Sequence, residues 1–192
     1  MEENRIEPVT PQRTSAGWIR VLSETLQVIV LAVLLYFLID TFIARVRVEN
    51  ISMLPTLKPG EFVIVSKIAY RTGSIQRGDV IVFRYPMNPR EDYIKRVIGL
   101  PGDQVEIRGG VVYVNSQPLV EPYISGPPGY EGTWEVPDGQ LFVLGDNRNQ
   151  SSDSHSWGFV PIENVVGKAL VVYWPPSEVK LLTPPNVVSA AH

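Results

Sequence analysis

A predominantly antiparallel β-sheet domain behind one N-terminal membrane-length helix is the fold that three observations predict. One stretch, 21–43, is apolar enough and long enough to cross a bilayer. After it, β-branched runs recur between turns rich in glycine and proline, 15 and 17 of which the chain contains. No helical periodicity persists beyond residue 44, and no internal repeat is present.

Each element follows in order. Residues 1–20 are polar, hold Pro8 and Pro11, and read as an N-terminal arm. Segment 25–39, TLQVIVLAVLLYFLI, carries no charge. Extended to 21–43 it gives a helix of about 35 Å, which exceeds the ~30 Å hydrocarbon core. Glu24 and Asp40 then fall near its ends, where charge is tolerated, and Trp18 and Tyr36 are suited to the interface. The stretch after it, DTFIAR, offers no small-x-small site, which argues against a cleaved leader. Arginines flank both ends, so charge does not fix orientation.

Strands are expected at 62–67 (FVIVSK), 79–85 (DVIVFRY), 93–98 (YIKRVI), 140–144 (QLFVL) and 165–174 (VVGKALVVYW). Segments 105–107 and 111–114 straddle Arg108-Gly109-Gly110, a hairpin signal. Residues 121–139 read as loop or an irregular small lobe. The body of the chain is therefore one domain over 44–175, with a small lobe inserted at 104–140 and a loose C-terminal tail over 176–192.

Composition narrows the chemistry. A net charge of −3 leaves no basic footprint for nucleic acid. There is no cysteine, which removes disulfides and thiolate chemistry, and the two histidines, His155 and His192, do not suffice for a histidine-built metal site. No metal or other cofactor is expected.

Three segments carry candidate chemistry. In Asn50-Ile51-Ser52-Met53-Leu54-Pro55, Pro55 biases Leu54 toward extended geometry, so Ser52 sits on a stiff turn and not inside a helix. It is either a presented nucleophile or an ordinary turn serine. Ser52 also follows Asp40 by 12 residues, at most ~40–43 Å of extended chain, which keeps it and whatever it acts on near the bilayer. Lys95 lies inside a strand pattern. Tyr93, Lys95 and Val97 share one face, and Ile94, Arg96 and Ile98 the other. If the first face is buried, desolvation lowers the lysine pKa and frees a base; if it is exposed, Lys95 is a solvated strand lysine. The run GDNRNQSSDSHSWGFVP at 145–161 is a plain polar loop or a hydrogen-bonding scaffold.

Together these segments resemble the bacterial type I signal peptidase (leader peptidase) family. The resemblance rests on SMLPTL at 52–57, GDVIVF at 78–83, YIKRVIGLPGD at 93–103 and the run at 145–161, in order and behind a membrane helix. It implies a Ser-Lys dyad, with Ser52 as nucleophile and Lys95 as general base. It implies that Ser151 orients the lysine, that Asp153 braces the site and that Gly145 allows close approach. The implied substrates are secretory preproteins cut after small-x-small, with shallow apolar pockets that Ile51 and Met53 would line. The implied setting is single-pass insertion in the plasma membrane, an extracytoplasmic catalytic domain, and work beside the lipid bilayer and the protein-export machinery. Two positions depart from the family. Asn50 stands where a serine or glycine is common, and its carboxamide N–H is suited to the second oxyanion contact. His155 stands where arginine often pairs with the acid, so its pairing with Asp153 would weaken above the histidine pKa. Two other readings are a Ser52-His155-Asp153 triad and a membrane-tethered β module that binds without catalysis.

Overall fold

A computed structural model describes residues 15–184 of the chain. Most of the expected arm and the end of the expected tail lie outside these residues. The chain divides into two compact units at residues 40 and 41.

The first unit is helical. Helix α1, Ser15–Phe42, has 28 residues and ends one residue before the expected limit. Its segment Gly17–Phe42 has a mean hydropathy of 2.2 and none of it is buried within the protein. Apolar side chains cover every face, which fits a single-pass anchor, whereas an amphipathic surface helix would present a polar stripe. Arg20 and Glu24 pair at 3.1 Å one turn apart near its start.

The second unit is β. Its strands are β1 (Ile43–Arg47), β2 (Phe62–Ser66), β3 (Val80–Tyr85), β4 (Asn88–Gly99), β5 (Gln104–Arg108), β6 (Val111–Val114), β7 (Gln117–Pro118), β8 (Gly132–Glu135), β9 (Gln140–Leu144), β10 (Val160–Pro161), β11 (Val165–Trp174) and β12 (Lys180–Leu181). Two single-turn helices, α2 (Ala69–Thr72) and α3 (Ser154–Trp157), interrupt them. The larger sheet runs β1-β2-β11-β3-β4-β9-β10, with β12 added on β11; the smaller runs β7-β6-β5-β8. The strand pairs are antiparallel. The last long strand, β11, thus lies between β2 and β3.

Local sequence explains these elements. β2 alternates half-buried and buried residues, and Val63 and Val65 point into the core. β4 differs, because its C-terminal half is buried on both faces. The β5–β6 hairpin turns on Gly109 (φ 55) and Gly110 (φ 76), a pair that a two-residue turn with both φ positive selects. One core cluster gathers Met53, Leu57, Val63, Val65, Ala169 and Leu182. Burying Met53 and Leu57 contributes roughly 1.5–3 kcal/mol each and fixes the turn that carries Ser52. A second cluster seats the small sheet, with Val105, Ile107 and Val112 against Ile98, Phe142 and Leu144.

Three expectations need correction. β1 was not expected, because its alternation (Ile-Ala-Arg-Val-Arg) follows the apolar helix with no glycine or proline between them. Residues 121–139 are neither all loop nor irregular throughout, since β8 pairs with β5 in the small sheet. Residues 176–182 are not a loose tail: β12 pairs with β11, Leu182 enters the core, and Lys58–Glu178 (2.8 Å) and Lys180–Glu61 (3.0 Å) fasten the segment.

Candidate active site

Ser52 sits in a turn between β1 and β2. The turn is closed by Leu54 N–H to Ile51 C=O and Leu57 N–H to Met53 C=O. Lys95 reaches it from β4. The two residues are 43 apart in sequence, yet Lys95 Nζ lies 2.6 Å from Ser52 Oγ, with Ser52 8% and Lys95 4% exposed. The face of β4 that the sequence left open is therefore buried. Burial lowers the Lys95 pKa to about 8, against a smaller opposing attraction from Asp153 and Asp146.

The polar run after β9 closes the site. Asn147 N–H donates to the Ser52 carbonyl (3.0 Å), and its carboxamide donates to that of Ile51 (3.2 Å). Gly145 passes so close that a Cβ there would overlap Ser151 Oγ and the Ser52 carbonyl oxygen. Asp153 is fully buried. Its Oδ2 accepts from Gly145 N–H at 2.9 Å, and its Oδ1 accepts from His155 Nδ1–H at 2.6 Å. The Ser151 hydroxyl is buried with no hydrogen-bond partner among the described residues, so the expected bond from Ser151 to Lys95 is not formed in this structure. The alternative triad is not formed either: His155 is engaged by Asp153 and by the Tyr130 ring, and Ser52 by Lys95.

An open cleft of about 470 Å³ runs past Ser52 and Lys95. Val46, Val48, Asn50 and Ile51 line it, and Ile51 is 44% exposed. Met53 is placed differently from expectation. It follows the nucleophile by one residue, points to the opposite side of the turn and is fully buried in the core.

Sequence reasoning missed a second ionic layer behind the dyad. Arg96 donates to both oxygens of Asp146 (2.8 and 2.6 Å) and to the Gly78 carbonyl (2.8 Å), while Thr56 also donates to Asp146. The guanidinium lies 3.9 Å from the centre of the Tyr123 ring. Tyr123 donates to Glu121, which Arg148 holds with a two-pronged pair. The available signal was the Lys95-Arg96 doublet itself. Adjacent strand residues point to opposite faces, so two buried neighbours require two buried partners.

No group of acidic or histidine residues suited to a metal occurs among the described residues. What the arrangement offers is a desolvated amine against a hydroxyl, with backbone amides nearby, a constellation suited to acyl transfer.

Comparison with known proteins gives the family. The family model "Signal peptidase, peptidase S26" matches residues 22–174. A signal peptidase I of Leptolyngbya laminosa is 47% identical over 173 residues, covering 85% of each chain. A probable signal peptidase I-2 of Synechocystis is 44% identical over 193 residues, 95% of this chain and 87% of its own. A solved signal peptidase I of Enterococcus faecalis is 36% identical, with a TM-score of 0.47, over 50% of this chain and 97% of its own. With a family match over most of its length and relatives of this identity, the chain belongs to the S26 signal peptidases and is a peptidase of that family.

Proposed function

We propose that the protein removes signal peptides from secretory preproteins, cutting after small-x-small sites with Ser52 as nucleophile and Lys95 as general base. The observation that carries this reading is the 2.6 Å separation of Lys95 Nζ and Ser52 Oγ, both buried beside the cleft. The neutral amine takes the Ser52 proton as the oxygen attacks the scissile carbonyl carbon. The resulting ammonium returns the proton to the leaving amine. Water then attacks the ester with the same amine as base, and Ser52 regains its proton. Asn50 and Ser52 line the cleft, and in this reading the Ser52 amide and the Asn50 carboxamide donate to the developing oxyanion. Ile51, Val46 and Val48 give the cleft an apolar wall that suits small apolar side chains.

Helix α1 anchors the enzyme as a single pass in the plasma membrane, with the catalytic domain, residues 44–175 together with the fastened segment 176–182, on the extracytoplasmic side. There it meets preproteins as the export machinery delivers them. Support comes from the apolar 26-residue segment and from the short chain between it and Ser52.

The test is cleavage of one preprotein in vitro across pH. Ser52→Ala and Lys95→Met are each expected to lose at least ~10³-fold in kcat/KM while remaining folded. The wild-type rate should rise with pH through a midpoint near the Lys95 pKa of about 8, because only the neutral amine accepts the proton. Full activity in Lys95→Met would refute the dyad.

A further inference from the structure

Lys95 lies among two carboxylates that would otherwise hold its proton, Asp146 and Asp153. Asp146 is neutralised in place by Arg96. Among the described residues no arginine or lysine forms an ion pair with Asp153. Its partners are the Gly145 amide, the His155 backbone N–H at 3.3 Å and the imidazole of His155, 2.6 Å away. Because a carboxylate only accepts, Nδ1 must carry the hydrogen. The imidazole is itself seated. Its ring stacks on Tyr130 at 3.9 Å between centroids and 14° between planes. Tyr130 belongs to the segment before β8, beside the small sheet. That segment is tied to the polar run by Gly129 N–H to Asn149 Oδ1 (2.7 Å) and Asn149 Nδ2–H to the Pro127 carbonyl (2.9 Å). The Tyr130 hydroxyl finds no partner among the described residues, so its ring, not its hydroxyl, makes the contact.

We propose that His155, held flat against the Tyr130 ring, is a positioning residue that fixes Asp153 and disperses its charge through a hydrogen bond, and so governs how readily Lys95 takes up a proton. The small sheet then acts on the general base without touching substrate. The charged groups facing this pair are few. Asp153 meets His155 from the cap of α3, and Lys95 meets Asp153 from β4. Behind Tyr130 lie Arg148 and Glu121, which are paired with each other. Loss of the imidazole removes a hydrogen bond to the Asp153 carboxylate and leaves its charge more concentrated toward Lys95, which favours the ammonium form of Lys95.

This inference rests on the Ser52–Lys95 reading, so the experiment separates the two. The full chain in detergent is assayed for kcat and KM against pH with His155→Ala, His155→Asn, Tyr130→Leu, Tyr130→Phe and Lys95→Met. His155→Ala should move the acidic midpoint up by about 0.5–1 pH unit, lower kcat at pH 7 several-fold and leave KM unchanged. His155→Asn, which keeps a neutral donor near Nδ1, should recover most of the shift. Tyr130→Leu should move the midpoint the same way by less, and Tyr130→Phe, which keeps the stacking face, should hold it. An unmoved midpoint in folded His155→Ala, with Lys95→Met inert, overturns this inference alone. An active Lys95→Met enzyme overturns both.

Discussion

At the scale of single residues, the site sets stability against function. An unfolded lysine titrates near 10.5, and Lys95 in the folded protein at about 8. Below pH 8 both states hold the proton, and the folded state bears the full cost of a buried ammonium, ~3 kcal/mol for a shift of this size. Between pH 8 and 10.5 the unfolded chain binds more protons than the folded one, so stability rises with pH across that window. Lys95→Met removes the charge at nearly constant volume. Denaturant unfolding should therefore show it about 1–3 kcal/mol more stable than wild type at pH 7, with the gain fading by pH 10. Arg96 behaves oppositely. Removing it strands Asp146 in the interior, and Arg96→Ala should cost about 3–5 kcal/mol in the same measurement.

At the scale of elements, the nucleophile turn is held from beneath by segment 176–182. Leu182 shares a cluster with Met53 and Leu57, and Lys180 pairs with Glu61. Leu182→Ala should cost ~2–3 kcal/mol by chemical denaturation and lower kcat more than loss of stability alone explains, since the cavity opens in the cluster that seats Met53 and Leu57, the neighbours of Ser52 in its turn. This brace was not legible in the sequence. Its strand has two residues, and Pro175, Pro184 and Pro185 disguise it as a tail. β1 was hidden for a related reason, since it has no punctuation separating it from α1. Long runs with clear borders, such as β2, β3, β9 and β11, were readable, as was the placement of Lys95 and Arg96 on opposite faces. Which face is buried was not, because period-two alternation is silent when both faces are covered. That is why the Arg96–Asp146 layer emerged only in three dimensions, whereas the nearness of Ser52, Lys95 and the 145–161 run was legible through family resemblance.

At the scale of the whole molecule, anchor and β unit are separable in sequence, with only Thr41 and Phe42 between the division point and β1. A chain beginning at residue 43 should fold with its β core intact, cleave a short soluble peptide at a rate similar to the full chain, and lose efficiency on a preprotein held in vesicles. Comparing both substrates in both forms checks this, and equal loss on the two would assign the helix a structural role instead. The sheet order has a temporal consequence as well. Ser52 is joined to β2 and Lys95 to β4, and the strand that unites those halves is β11, which follows both in sequence. A ribosome-bound chain that has not yet released residues 165–174 has both halves of the scissors but no rivet. Until residues 165–174 pair with both β2 and β3, no strand links the half that carries Ser52 to the half that carries Lys95.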